Sequence, residues 1–346
     1  MRIIHCADIH LGSKMEEFPK EISDKRKEEV RDGFLRMVTF AREQGVGVIM
    51  LSGDVFDREK PYKKDTDFFY NVIEKNADIT FLYLRGNHDS EGEERELPNL
   101  KTFSAQWQSY DFGEVVISGI EVLNENERSY ASTLSLDGKR KNIVMLHGQV
   151  GGKINLVKLR DKNIDYLALG HIHGYAEGEL DGRGRYAYSG CLVGRGFDET
   201  GDKDFLLLEV GERISHTFVS ASAKRIEKVE LDVSGLKEGY EAFCLAREKI
   251  KFQKDGIYRI ELIGEVDAEV EGIAQDAERY IASECAYVSV KDKTKKKIDY
   301  ASFEGDNSLR GEFVRSVRAC EEYSDEEKAQ IIAYGLKALA GREVIE

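Results

Sequence analysis

The sequence predicts an α/β protein of two domains: a larger one built on a sheet that is at least partly parallel, then a smaller α+β one. Three observations carry that expectation. The 346 residues are more than one ordinary core accommodates. The first 86 residues alternate compact apolar runs with helical patterns, strand–helix–strand–helix–strand, an order that implies crossovers between parallel strands. Finally, five short segments holding His, Asp, Asn or Gly each follow an apolar run of strand character.

Residues 1–7 read as a short buried strand, and Gly12 ends the loop after it. From Pro19 to Gln44 the pattern is helical, with Phe34, Val38 and Ala41 on one face, and Gly45 stops it. Val46–Leu51 is the next apolar run, before Gly53-Asp54; a helix follows over Lys64–Lys75, then a run Ile79–Leu84 that ends at Gly86-Asn87. Val115–Ser118, Ile143–Leu146, Tyr166–Leu169, Tyr186–Tyr188 and Phe205–Val210 are further strands, suited to a second βαββαβ-like half. Charges thicken between Ser220 and Glu227, which sets the expected boundary between a domain of residues 1–220 and one of residues 221–346. The smaller domain reads as a helix over Leu236–Ile250, a strand Tyr258–Ile263, a helix Glu269–Ser283, a strand Tyr287–Val290 and two final helices. The last helix opens on Ser324-Asp325-Glu326-Glu327, a capping box, and stops at Gly341.

Composition bounds the function. Lys and Arg number 51 against 65 Asp and Glu, a net charge of −14. That balance argues against coating nucleic acid or an anionic membrane by charge alone. It leaves room for a nuclease, because metal ions can hold a scissile phosphate where side chains do not. Cys6, Cys191, Cys244, Cys285 and Cys320 form no C-x-x-C pair, so reduced thiols are expected. No apolar run approaches the roughly 18 residues of a membrane span, and the N-terminus shows no signal-peptide pattern. The expectation is a soluble, cytoplasmic chain with no membrane partner.

The chemistry is written in Asp8-Ile9-His10, Gly53-Asp54-Val55-Phe56-Asp57, Gly86-Asn87-His88-Asp89, His147-Gly148 and Gly170-His171-Ile172-His173. Loops leaving one edge of a parallel sheet converge on one crevice, so these segments can meet. Taken singly, each has a plainer explanation: an Asp after a strand caps a helix, and Gly-Asn is a favoured turn. Together, with His88 set aside, they offer two Asp, one Asn and four His, an imidazole-and-oxygen set that suits Mn, Fe or Zn better than Ca or Mg. Seven groups serve two ions if one carboxylate bridges, and Asp54 is the natural bridge.

The ordered set D-x-H, G-D-x-x-D, G-N-H-D, H and G-H-x-H resembles the calcineurin-like metallophosphoesterase superfamily, over roughly residues 1–215. The resemblance implies a sandwich of two mixed β-sheets flanked by helices. It implies that one metal takes Asp8, His10, Asp54 and His173 and the other Asp54, Asn87, His147 and His171. His88 would act on the substrate, with Asp89 orienting its ring. A narrower likeness is to SbcD-type DNA repair exonucleases. It rests on Ile4-His5-Cys6-Ala7-Asp8-Ile9-His10-Leu11-Gly12, on Leu84 to Ser90 and on Phe197-Asp198-Glu199-Thr200-Gly201-Asp202-Lys203. Position 204 is Asp where that group often has Gly, and the C-terminal part is short for a full SbcD, which is more like the YhaO-type branch.

The expected function is therefore two-metal hydrolysis of phosphodiesters in DNA, by a nuclease subunit that pairs with an SbcC-like coiled-coil ABC ATPase. The resemblance also suggests two Mn2+ ions and a homodimer. A phosphodiesterase for cyclic nucleotides or other small phosphoesters, and a non-catalytic scaffold with a structural metal site, are the alternatives. From Arg225 onward 20 Lys and Arg face 27 Asp and Glu, so the second domain is no basic clamp. Its basic run, Lys291-Asp292-Lys293-Thr294-Lys295-Lys296-Lys297, reads as a solvated strand end or a phosphate contact. Arg85 and Arg195 are candidates for touching substrate. Leu309, Phe313 and Val317, with Ile332, Leu336 and Leu339, recur at helical spacing as core or as an ATPase-docking face.

Overall fold

A computed structural model describes residues 1–89, 95–221, 225–267 and 270–341. The chain divides into two compact units, Met1–Arg225 and Ile226–Glu346. Of the sequence expectations, Ser90, part of the Ser220–Glu227 boundary and the helix start at Glu269 lie outside the described residues.

The first unit begins with β1 (Arg2–Cys6), α1 (Lys20–Glu43), β2 (Val48–Ser52), α2 (Lys63–Glu74) and β3 (Thr80–Leu84). There follow β4 (Leu100–Thr102), β5 (Gln108–Asp111), β6 (Val115–Gly119), α3 (Tyr130–Thr133), β7 (Lys141–His147), α4 (Leu156–Leu159) and β8 (Tyr166–Gly170). It ends with β9 (Ala176–Glu179), β10 (Arg185–Tyr188), β11 (Asp204–Val210) and β12 (Ile214–Ser220). These strands make two six-stranded mixed sheets, in the orders β12-β11-β1-β2-β3-β4 and β5-β6-β7-β8-β10-β9. In the first, β1 to β4 run parallel, β11 is antiparallel to β1 and β12 antiparallel to β11; in the second, β6, β7, β8 and β10 are parallel between two antiparallel edges.

Strand periodicity explains the sandwich. Along β1, Ile3 faces the second sheet, where it joins Met50, Leu82, Ile117, Met145 and Tyr166 in one buried cluster. Along β7, Ile143 and Met145 enter that cluster while Val144 and Leu146 turn outward onto Tyr130 and Leu159. Helices α1 and α2 cover the outer face of the first sheet; Phe34 and Phe69 meet with ring centroids 5.8 Å apart. Phe34, Val38 and Ala41 are buried together, as their spacing predicts.

The second unit holds β13 (Ile226–Asp232), α5 (Gly239–Lys249), β14 (Ile257–Ile263), β15 (Glu265–Asp267), α6 (Ile273–Ile281), β16 (Tyr287–Asp292) and β17 (Lys295–Lys297). It closes with α7 (Tyr300–Glu304), α8 (Leu309–Ala319) and α9 (Asp325–Leu339). The strands β13, β14 and β16 are parallel in that order, and α5 and α6 bury Phe243, Ala246, Ala277 and Ile281 against one face. Three helices end the chain where the sequence suggested two, since α7 is a short turn capped by Asp299. The capping box forms: Ser324 accepts from the Glu327 N–H and Glu327 from the Ser324 N–H. The two apolar stripes divide in their environment. Val314, Ile332 and Leu336 are buried together, while Leu309 is 70% exposed and Leu339 41%. No helix among the described residues is long and apolar enough to cross a membrane.

Candidate metal centre

Parallel pairing sets β1, β2 and β3 side by side in the first sheet and β7 and β8 in the second, with Cys6 opposite Leu51, Ser52 opposite Leu84 and His147 opposite Gly170. The loops that follow these strands therefore leave at one end of the sandwich. Two of them are stitched together, the Asp8 N–H donating to Gly53 O (3.0 Å) and the His10 N–H to Asp54 O (3.0 Å). The crowding has a backbone cost: Asp8, His10, Asp54 and His171 all adopt positive φ, which non-glycine residues rarely do. Gly53 stands at φ +97°, where a Cβ would sit 2.1 Å from His147 Nδ1, and one on Gly86 would sit 2.2 Å from Asp54 Oδ1. Only glycine lets the loops come this close.

The donor atoms fall into three overlapping groups, each within 4.8 Å: Asp8, His10 and His173; His10, Asp54 and His88; Asp54, His147 and His171. Asp54 joins them, with Oδ2 3.3 Å from His147 Nε2 and 3.9 Å from His10 Nε2. The amide oxygen of Asn87 stands 3.1 Å from His147 Nε2 and 3.0 Å from His171 Nδ1. All seven predicted donors thus lie in one crevice, and Asp8 holds it shut from below by accepting the His171 N–H at 3.0 Å.

Ring orientation is fixed from outside the crevice. His147 Nδ1 meets Ser52 O at 2.9 Å, His173 Nδ1 meets Glu199 at 2.7 Å and His10 Nδ1 stands 3.3 Å from Asp57. Ser52 O and Glu199 accept, so His147 and His173 each carry a proton on Nδ1 and their Nε2 atoms face inward. His10 Nε2 and His173 Nε2 then oppose one another at 3.2 Å, a contact that a cation relieves and that a second proton-free ring does not.

The electrostatics point the same way. Burial pushes Asp8 up to about 6, with Asp54 adding to the rise, and pushes His10 down to about 4. Burial would also raise Asp54, but its hydrogen bond and charge contact with His147 hold it well below the usual carboxylate range. Burial opposes charge on His147 too, yet Asp54 draws it up to about 9. Two buried carboxylates among four imidazoles, with strained backbone beneath them, fit a divalent cation pair by donor type and by charge.

Two expectations need correcting. Asp89 does not orient His88. Its buried carboxylate is taken by the Val55, Phe56 and Gly86 N–H groups at 3.2, 2.8 and 2.9 Å, and it ties the second and third loops together. The His88 ring instead rests on Asp57 O through Nδ1 (3.2 Å), and its N–H donates to Asp54 Oδ1 (2.9 Å). Arg85 and Arg195 are not bare substrate cations. Arg85 is bidentate to Glu121 at 2.7 and 3.0 Å, and Arg195 pairs with Asp57 at 2.8 Å and Glu199 at 2.5 Å. The basic run of the second unit fits the solvated strand end: it includes β17, and Lys293, Lys295 and Lys297 pair with Glu261, Glu326 and Glu265.

Sequence reasoning quoted Asp57 and Glu199 without giving either a task. In the fold Glu199 is 4% exposed and meets His173 Nδ1, 26 residues away in the chain. A cleft of about 970 Å³ opens beside Asp57, Arg58 and Arg195, and another of about 430 Å³ beside Asn87, His147 and His171.

The Mre11 protein of Sulfolobus acidocaldarius, a DNA double-strand break repair protein, is 24% identical over 96% of this chain and 94% of its own. The metallophosphoesterase YhaO of Bacillus subtilis is 28% identical over 74% of this chain and 69% of its own. Among solved structures, a dimetal phosphatase from Danio rerio aligns over 64% of this chain and 96% of its own, at 11% identity and a TM-score of 0.46. The sequence model of the calcineurin-like phosphoesterases matches residues 1–175, and the chain belongs to that family.

Proposed function

We propose that the protein is a two-metal phosphodiesterase acting on DNA, an exonuclease or endonuclease subunit of an SbcCD-like repair complex. The observation that carries this reading is the convergence of seven donors on Asp54, whose Oδ2 stands within 3.9 Å of both His10 and His147. The family works with a dinuclear metal site, and similarity to Mre11 over nearly the whole chain favours DNA among phosphodiesters.

On this reading Asp8, His10, Asp54 and His173 hold one ion, and Asp54, Asn87, His147 and His171 the other, Mn2+ being the expected metal and Fe or Zn the alternatives. Bound there, the pair neutralises phosphate oxygens and readies a water for attack at neutral pH. The protein's own residues do the rest. His88 is exposed at the mouth, its ring centroid 5.1 Å from that of His10, and it donates a hydrogen bond to a phosphoryl oxygen or a proton to the leaving oxygen. Asp57, through its carbonyl oxygen, accepts from His88 Nδ1 and so sets which way the ring faces, leaving Nε2 to act on the substrate.

Residues 221–346 serve as the C-terminal domain that meets DNA ends and the SbcC-like ATPase. The docking face we assign to α8 and α9, where Leu309, Tyr334 and Leu339 are exposed above the buried Val314, Ile332 and Leu336. A homodimer of this chain is part of the same reading.

The test compares Mn2+-dependent cleavage of linear duplex DNA, single-stranded DNA and a small chromogenic diester. Cleavage of duplex ends well above the diester supports the reading. Diester turnover with DNA untouched would assign the site to small phosphoesters.

A further inference from the structure

Strand alternation along β12 turns Ile214, His216 and Phe218 toward the space between the two sheets. Ile214 enters the core of the sandwich, and the His216 side chain is 5% exposed with its ring 6.2 Å from that of Tyr166. A third ring on that face is expected to be covered. Phe218 is instead 50% exposed. Beside it stands Tyr175, itself 40% exposed, the two rings meeting edge to face with centroids 4.5 Å apart. Two aromatic side chains from the edges of the two sheets thus meet and stay open to water.

The pair is held in place. Tyr175 Oη meets His216 Nε2 at 3.0 Å, so a ring wedged between the sheets supports it from beneath. The pair also flanks the crevice. Tyr175 lies two residues beyond the donor His173, whose carbonyl oxygen accepts the Cys191 N–H at 3.1 Å. In the first sheet β12 is two strands from β1, and in the second β9 is two strands from β8. At the usual strand spacing that sets the rings about 10 Å to the side of the donors. The charge around them is unusual for a chain of net charge −14. Strand β12 has no Asp, Glu, Lys or Arg, and the nearby Glu177 is paired with Arg185 at 2.8 Å. A phosphate backbone meets less repulsion on this flank than on the acidic surface elsewhere. Open rings next to such a strand suit a nucleobase, since every base has a π-face and stacks on an aromatic side chain whatever the sequence.

Resting on the DNA reading of the metal centre, we propose that Tyr175 and Phe218 form a stacking platform for an unpaired base of the strand being cut. That base comes from a single strand or from a frayed duplex end. The two rings touch the substrate, and His216 is a positioning residue that acts through the Tyr175 hydroxyl. The platform sets the substrate class: DNA with an unpaired nucleotide near the scissile phosphate is cut ahead of fully paired DNA.

The experiment uses the full chain with Mn2+ and three substrates, a single-stranded oligonucleotide, a blunt duplex of the same sequence and a small chromogenic diester. Wild type should cut the single strand ahead of the blunt duplex. Phe218→Ala and Tyr175→Ala should each lower the ratio of kcat/KM for the single strand to kcat/KM for the diester by about 5–100-fold, with the loss mainly in KM. Phe218→Trp should restore most of that ratio, because a larger ring still stacks. His216→Gln should lower it less, again through KM, and Tyr175→Phe should match His216→Gln. A 2-aminopurine in the oligonucleotide reads the contact itself: wild type should quench its fluorescence and Phe218→Ala should not. If Phe218→Ala does not fold, Tyr175→Ala, just outside β9, carries the same prediction. A ratio unchanged in the folded alanine variants, or quenching that survives them, overturns the platform and leaves the two-metal reading intact. Variants that dissociate a homodimer and keep the ratio overturn it as well, and assign the rings to a second copy of the chain. Diester turnover with both DNA substrates untouched overturns the platform together with the DNA reading. A folded wild type that hydrolyses none of the three overturns the metal reading too.

Discussion

The two units use charge and backbone in opposite ways. All seven histidines lie in the first, between His5 and His216, and the second has none. Among the described residues, the seven non-glycine residues at positive φ are also all in the first unit, four of them donors in the crevice. In the second unit only Gly235, Gly264, Gly272 and Gly341 adopt positive φ. Its charged groups stand mostly at the surface; Glu261, which is buried, is held between Lys228 and Lys293 at 3.0 and 2.6 Å. The first unit buries Asp8, Asp54, Asp89 and Glu199 within loops that glycine alone can pack. Strain and buried charge accumulate where chemistry is done, and the sandwich around them supplies the stability that tolerates it.

The largest effects are expected at the residues that set the first unit apart. Asp54→Asn removes the carboxylate common to both halves of the crevice, so bound metal should drop below one ion per chain and diester hydrolysis by about 10³-fold or more. His88→Gln leaves that geometry in place. Metal content should stay at two ions while turnover falls about 10²–10⁴-fold, the range of a lost general acid. Metal analysis beside rate measurement separates the two variants. An Asp54→Asn protein that still carries two ions would remove the bridge, and a fully active His88→Gln protein would remove His88 from the chemistry.

Chelation sharpens the contrast next. A ligand present at 100 times its Kd stabilises the folded form by about 2.7 kcal/mol. Mn2+ should therefore raise amide protection in β7 and β8 and leave β14 and β16 unchanged, which hydrogen exchange reads strand by strand. Equal protection in both units would mean that the metal acts on the whole chain and that the division drawn here is false.

A smaller effect concerns His5, buried beneath the crevice with Nδ1 3.1 Å from Tyr166 Oη and Nε2 3.2 Å from Leu169 O. Burial lowers its pKa to about 3. The folded chain thus holds it neutral, while the unfolded chain protonates it below about 6.5. Its contribution to stability is complete above pH 6.5 and is lost as the pH falls toward 3. His5→Gln should cost about 1 kcal/mol at pH 7.5 through weakened hydrogen bonds, and that deficit should shrink at pH 5.0 in metal-free urea unfolding. A deficit that grows with acid would contradict a neutral His5.

Much of this was legible beforehand, for reasons visible in particular residues. That the seven predicted donors would meet in one crevice could be read because their segments each follow an apolar run, and parallel strands deliver their loops to one end. Asp57 and Glu199 escaped notice because their tasks are defined by rings 47 and 26 residues away, separations that no local pattern encodes. Strand β13 was hidden inside what read as a charged linker. Ile226, Val229 and Leu231 break strict alternation, and the Glu and Lys between them point to solvent. Short edges such as β4, β9 and β15 carry too few apolar residues to register, since pairing with a neighbour rather than burial holds them. Asp89 was misread because its role came with the family resemblance, whereas here the turn sends its carboxylate back to three N–H groups.

The smallest expected effect tests the quiet side of the comparison. Lys295 and Lys297 belong to the most basic stretch of the second unit, and in isolation they look like phosphate contacts. In the fold they pair with Glu326 at 2.8 Å and Glu265 at 3.2 Å, in a region of net charge −7 from Arg225 onward. Such exposed pairs are weak, so DNA could in principle break them, but the surrounding acids would then repel the phosphate they approach. A lysine that neutralises a phosphate contributes about 0.9 to the slope of log affinity against log salt. Lys295→Ala and Lys297→Ala should each leave that slope, and the affinity for linear duplex, essentially unchanged (within about two-fold in affinity). A slope lowered by about 0.9 per substitution would place the second unit's contact with DNA ends on Lys291–Lys297, and the contrast between a reactive unit and a charge-paired one would have to be redrawn around that run.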